Sequence, residues 1–276
     1  MSNSPKSSSV ASIRTGGAAQ VILSASLLML AWGCASDSTA PAPQTTAEVS
    51  AAQPAVTPPR RPDSAEMLKN AASQSSAPFE DSGWRELWDG VGFDGWRVTA
   101  FAGHGEVELQ SGMLILNMGD PFTGVNWTNS FPRMNYEIAF DAMRVMGTDF
   151  FCGLTVPMNE SCFTLIVGGW GGSLFGISSL DGMDASENET MKFKQFETGR
   201  WYRVRLRVTG ERLEGWIDQE KLLDLDTKER RLSVRPGDIE LSKPVGIASW
   251  QTTGAFRNIK IREVDQPADP QRRPKR

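Results

Sequence analysis

The chain has 276 residues, 29 lysines and arginines against 33 acids, a net charge of −4 and 39% hydrophobic residues. That length allows one large domain or two small ones, and the acidic balance argues against a nucleic-acid partner, whose phosphates need a basic face. A single histidine excludes a zinc site built on several histidines, and three cysteines are too few for a disulfide scaffold.

Residues 1–34 read as a targeting segment. Lys6 and Arg14 precede an apolar run from Val21 to Trp32, about a dozen residues, too short to span a bilayer and suited to the core of a signal peptide. The run ends in Ala31-Trp32-Gly33-Cys34, which resembles a bacterial lipoprotein cleavage box, although Trp32 is bulkier than the residue usual there. The expectation is a lipid on Cys34 and a secreted protein anchored to a membrane of the bacterial cell envelope. Residues 35–78 are rich in alanine, proline, serine and threonine and poor in aromatic and branched residues. Such a stretch cannot bury enough surface to offset its ordering entropy, so it reads as a disordered tether. A helical turn around Ala65–Ala72 has no apolar face worth packing. At the other end, residues 266–276 (QPADPQRRPKR) read as a disordered basic tail.

Residues 79–265 form one folded domain that holds eight of the nine tryptophans. Helical periodicity is nearly absent and strand alternation is frequent. In Trp201–Val208 the residues Tyr202, Val204, Leu206 and Val208 share one face while Arg203, Arg205 and Arg207 share the other. That arginine stripe predicts the solvated back of a sheet, cross-paired to acids such as Glu211 and Glu214. Further strands are predicted at 106–109, 113–117, 136–144, 150–156, 162–167, 173–178, 191–196, 211–217, 221–225, 246–250 and 256–262. Ser111-Gly112, Pro157-Met158-Asn159, Thr209-Gly210 and Thr253-Gly254 supply turns. So many short strands in one unit predict an all-β sandwich or barrel.

The opening Glu86-Leu87-Trp88-Asp89-Gly90 through Gly95-Trp96 is similar to the N-terminal signature of the 3-keto-disaccharide hydrolase family. Gly112-Met113-Leu114 and the closing Gly246-Ile247 and Phe256-Arg257-Asn258-Ile259-Lys260-Ile261 resemble other elements of that family, and Arg200 to Asp218 resembles a strand pair of concanavalin A-like jelly rolls. The resemblance implies a two-sheet jelly roll, concanavalin A-like or LamG-like, in a secreted or lipid-anchored bacterial protein that acts on glucosides oxidised at C3. The middle of the chain departs from the family pattern at Asp149-Phe150-Phe151-Cys152, at Gly168-Gly169-Trp170-Gly171-Gly172 and in the acidic segment from Asp181 to Glu189.

Those departures hold the candidate chemistry. Four glycines around Trp170 let backbone approach a ligand and free the indole to stack on a sugar ring, or else form a hairpin with a buried tryptophan. Asp181, Asp184 and Glu187 are candidate catalytic carboxylates. They could also offer oxygens to a divalent cation such as calcium, or be a solvated loop. Asp149 and Trp250 are further candidate ligand contacts. The predicted strand 173–178 spans about 20 Å between the glycine cluster and the acidic segment, so both are expected to border one face. His104, between two glycines, reads as a surface residue. Cys152 and Cys162 flank a predicted hairpin: a three-residue loop would oppose them and a four-residue loop would set them on opposite faces, with the balance slightly against a disulfide. Three classes stay open: a hydrolase or lyase of 3-keto-glycosides, a glycan-binding lipoprotein without catalysis, and a structural envelope protein.

Overall fold

A computed structural model describes residues 63–265, and the expectations for the signal segment, Cys34, most of the tether and the basic tail fall outside them. The strands in chain order are β1 (Arg85–Glu86), β2 (Trp96–Val98), β3 (Val107–Gln110), β4 (Met113–Leu116), β5 (Phe122–Trp127), β6 (Tyr136–Gly147), β7 (Cys152–Met158), β8 (Ser161–Gly169), β9 (Leu174–Ser178), β10 (Lys192–Phe193), β11 (Trp201–Thr209), β12 (Arg212–Ile217), β13 (Glu220–Asp226), β14 (Gly246–Trp250) and β15 (Thr252–Glu263). They form two antiparallel sheets. The first runs β13-β12-β11-β6-β15-β4-β3 with β1 added on β15, and the second runs β10-β9-β8-β7-β14-β5-β2. The fold is the all-β two-sheet jelly roll expected from the sequence.

The period of two decides which face each side chain takes. In the first sheet Tyr136, Ile138 and Phe140 of β6 and Tyr202, Val204 and Leu206 of β11 point inward. They meet Leu154 and Val156 of β7, Phe163, Leu165 and Val167 of β8 and Phe175 and Ile177 of β9 from the second sheet, all in one buried cluster. Thr164, Ile166, Gly176 and Ser178 therefore face outward. Thr253-Gly254, expected as a turn, lies inside β15, where a register shift lets the strand bend.

The end of the expected tether is ordered, which corrects that reading for residues 63–78. Asp63 caps a helix, α1 (Ser64–Ser73), by accepting from the Glu66 N–H at 2.8 Å. The helix does have a packing face: Met67, Leu68 and the fully buried Ala71 lie against Met113, Ile115, Met143, Val145 and Ala255 on the outside of the first sheet. The strap continues over that sheet to β1. Arg203 donates to the Ala77 carbonyl at 2.7 Å, Arg257 donates to the Gln74 carbonyl at 2.7 Å, and the Phe79 ring lies 3.8 Å from the Arg203 guanidinium.

The arginine stripe is accordingly covered, not solvated. Its main partners are Glu137 and Asp141 on the neighbouring β6, which the register sets opposite Arg207 and Arg203. Arg203 Nε reaches Asp141 at 2.6 Å and Arg207 Nε reaches Glu137 at 2.9 Å, while the expected partner Glu214 is a weaker contact of Arg207 at 3.6 Å.

Candidate functional site

A cleft of about 490 Å³ opens on the outer face of the second sheet. Its floor is built from Phe122 of β5, Thr164 and Ile166 of β8, Ser178 of β9 and Trp250 of β14, and its walls from Asp149 and Phe150, from Trp170 and from Arg235 to Ile239. Volume and lining suit a small organic ligand: mostly apolar, with a few polar groups to orient it. Aromatic packing makes the floor rigid. The Trp250 ring meets Phe122 edge-on at 4.5 Å, and Phe122 stacks on Phe101 at 4.9 Å. Gly153 permits this arrangement, because a Cβ there would stand 3.0 Å from the Phe150 ring.

Trp170 sits at the tip of the β8–β9 turn and is 41% exposed, so its indole is available to a ligand. Its φ is +47°, an uncommon conformation for a bulky residue, and Gly168, Gly171 and Gly172 around it also have positive φ. Beneath the turn lies Arg144, which β6 sends into the end of the sandwich. It is 5% exposed and donates to the carbonyls of Gly172 at 2.7 Å, Phe196 at 3.1 Å, Gly168 at 3.2 Å and Asp149 at 3.4 Å. Burial draws its pKa below the usual guanidinium value, opposed by the nearby Tyr202 and Asp149.

The acidic segment is divided among basic partners. Asp181 accepts from the Arg231 N–H at 2.7 Å and from Arg230 Nε at 2.6 Å, and these two interactions, in that order, hold its carboxyl below the ordinary 3.8. Glu189 shares Arg230, whose own pKa the two acids raise. Asp184 is the member that reaches the cleft: its Oδ1 accepts from the Ser178 hydroxyl at 2.6 Å and its Oδ2 pairs with Arg235 at 2.8 Å. Glu187 is exposed and accepts from the Asp184 N–H at 3.3 Å. Buried Asn188 shapes the loop by donating to the carbonyls of Ile177 at 2.8 Å and Asp184 at 2.7 Å.

Trp170, Trp250 and Asp149 thus line one cleft, Asp184 adjoins it through Ser178 and Arg235, and Asp181 is turned toward Arg230. Asp181, Asp184 and Glu187 point to different partners, and among the described residues no group of three or more histidine, cysteine or acidic side chains could hold an ion together. Cys152 and Cys162 are both free. Met158 pairs with Ser161, so the hairpin turns at Asn159-Glu160, and Cys152 lies opposite Val167 and points into the core while Cys162 packs on the outer side. His104 is exposed.

The sequence reading missed Arg144, Ser178, Arg235 and Asp238. A signal existed for Arg235: the basic run Arg230-Arg231 to Arg235 follows the acidic segment and neutralises it. Arg144 gave none, because it breaks the apolar alternation of its strand only once.

The family model described as a 3-keto-alpha-glucoside-1,2-lyase-like domain matches residues 83–262. A comparison with curated proteins finds no match. Among solved structures, the chain is similar to a protein of Parabacteroides distasonis ATCC 8503 assigned by name to the glycosyl hydrolases (16% identity, 66% of this chain and 95% of that one, TM-score 0.44). It is also similar to a Bacillus subtilis protein with a galectin-like fold (11%, 63% and 92%, 0.46) and to the carbohydrate-binding module CBM66 of Bacillus subtilis (12%, 61% and 96%, 0.41).

Proposed function

Because this chain belongs to the 3-keto-alpha-glucoside-1,2-lyase-like family, we propose that it cleaves glycosides oxidised at C3, in the cleft on its second sheet. The observation that carries the reading is the exposed Trp170 indole beside the carboxylate residues Asp149 and Asp238 in one cleft with an aromatic floor. A pyranose ring stacks its C–H face on Trp170, and the carboxylates serve as base and acid. The chemistry explains the preference for a ketone. A carbonyl at C3 acidifies the neighbouring C2–H bond, so a carboxylate takes that proton, a C1=C2 double bond forms and the C1–O bond breaks. The leaving sugar departs with that electron pair and receives a proton from the acid; water added across the double bond makes the net result hydrolysis. Asp184 keeps Ser178 in place in the cleft floor and Arg235 in its wall.

The same proposal includes the anchor: a lipid on Cys34 holds the protein in the bacterial envelope, and Cys34→Ser should move it from the membrane to the soluble fraction. Among the described residues no helix is long and apolar enough to cross a membrane.

The test is incubation with methyl 3-keto-α-glucoside and 3-keto-trehalose, following the released methanol or glucose. Turnover that disappears in Asp149→Asn supports the assignment. Binding of these sugars without turnover in the unmodified protein would favour the glycan-binding reading, and neither binding nor turnover would reject the cleft as a sugar site.

A further inference from the structure

A guanidinium placed inside a protein normally faces a carboxylate, because an unpaired charge there is costly. Arg144 faces none within ion-pairing distance among the described residues; its two Nη groups donate to four main-chain carbonyls, and its buried Nε has no partner among them. Three of these carbonyls lie in the turns that carry the cleft walls: Gly168 and Gly172 on either side of Trp170, and Asp149 itself. The fourth, that of Phe196, accepts from Nη1 at 3.1 Å. The walls are shaped around it. A Cβ on Gly168 would stand 2.5 Å from Arg144 Nη2, and one on Gly172 would stand 3.2 Å from both Nη atoms. The Phe151 ring centroid, 5.1 Å from Cζ, closes the remaining side. The Asp149 and Trp170 turns, some twenty residues apart, are therefore tied to one planar fork whose geometry a single ammonium cannot reproduce.

We propose that Arg144 is the positioning residue of the cleft: it sets the distance and angle between the Trp170 stacking surface and the Asp149 carboxylate, and so admits a ring whose reacting carbon lies at a fixed offset from its stacked face. This rests on the sugar-site reading of the cleft. It concerns a residue that touches no ligand and acts through the two that do.

The experiment compares Arg144→Gln and Arg144→Lys with the parent by two readouts. The first is acrylamide quenching of the Trp170 indole, taken as the difference between each protein and its Trp170→Phe counterpart. The second is the affinity for methyl 3-keto-α-glucoside. In Arg144→Gln the Trp170 component should become more quenchable and the affinity should fall by about tenfold. Arg144→Lys, which keeps the charge but not the fork, should show the same direction with a smaller loss. A folded Arg144→Gln protein with parental Trp170 quenching and parental affinity would overturn the proposal. If Arg144→Gln does not fold, Arg144→Lys decides in the same way, since parental values in it are incompatible with a role for the fork. If the parent binds no sugar, the functional reading fails on that result, and the quenching readout still judges the positioning role by itself.

Discussion

The two outward faces of this sandwich invert the usual rule of thumb. The outside of the first sheet carries Glu137, Asp141 and five arginines, yet Glu137 is fully buried and Asp141 is 4% exposed under the strap of residues 63–86. The outside of the second sheet is lined by phenylalanines and tryptophans, yet it stays open as a cleft. The charged face can be closed because every charge on it finds a counter-charge or a strap carbonyl, which is the condition for burying charge at all. The aromatic face is left open because the glycine turn, the Asp149 turn and the Arg235 segment stand around it without crossing it. What separates a supporting surface from a binding surface here is whether the chain itself completes it.

The largest effect should come from breaking the closed face. Asp141→Ala leaves Arg203 and Arg257 without their shared carboxylate and Asn258 without that acceptor, and leaves Ser76 only the Ala77 carbonyl. We expect a loss of about 3–5 kcal/mol in denaturant unfolding. Sugar binding by the fraction that stays folded should be unchanged, because the cleft lies on the other sheet. Phe79→Ala is the milder break. It removes the ring between the Arg203 guanidinium and Lys260 Nζ, the latter 5.0 Å from its centroid, and should cost about 1–2 kcal/mol. If it costs nothing, the strap is not what closes this face.

How much of the comparison could be read in advance follows from where each signal lives. Strands with clean alternation, such as β11, and those bounded by a turn, such as β4 after Ser111-Gly112, are visible because local periodicity suffices. β5 is hidden: Pro121 precedes it, and Gly124 sits in its middle because a Cβ there would stand 2.9 Å from the Phe101 ring. α1 is hidden for a different reason. Met67, Leu68 and Ala71 are a small stripe by themselves and become a packing face only against Met113 and Met143, far along the chain. At the site, Trp170 is legible from its glycines. The partition of the acidic segment depends on arginines some fifty residues later, a tertiary match that no local pattern reveals.

On the open face, Asp181 tests whether the acidic segment braces the fold or serves the ligand. Its carboxyl is held below 3.8 by the Arg231 N–H first and the Arg230 guanidinium second. A lowered folded-state value means that the contribution is present above 3.8 and is lost as pH falls through the folded value. Asp181→Asn should therefore lower stability slightly at neutral pH and leave it unchanged in acid below both values, as read by unfolding at each pH. Turnover should stay near that of the parent. A collapse of turnover with stability intact would restore Asp181 to the catalytic groups.

The smallest stability effect should be the most informative about function. Trp170 is 41% exposed and its φ of +47° is not a conformation that a tryptophan side chain favours over alanine. Trp170→Ala therefore removes little buried surface and adds little backbone strain, and the unfolding free energy should stay within about 0.5 kcal/mol of the parent. A pyranoside resting on the indole would nonetheless lose its stacking surface, so affinity for methyl 3-keto-α-glucoside should fall by about tenfold or more. The two readouts separate what the turn does for the fold from what it does for a ligand. Large destabilisation would mean that the glycine turn is another closed, supporting surface like the strap. Unchanged stability together with unchanged affinity would mean that the ligand meets the cleft elsewhere, and Trp250, held edge-on against Phe122, would become the stacking ring to test next.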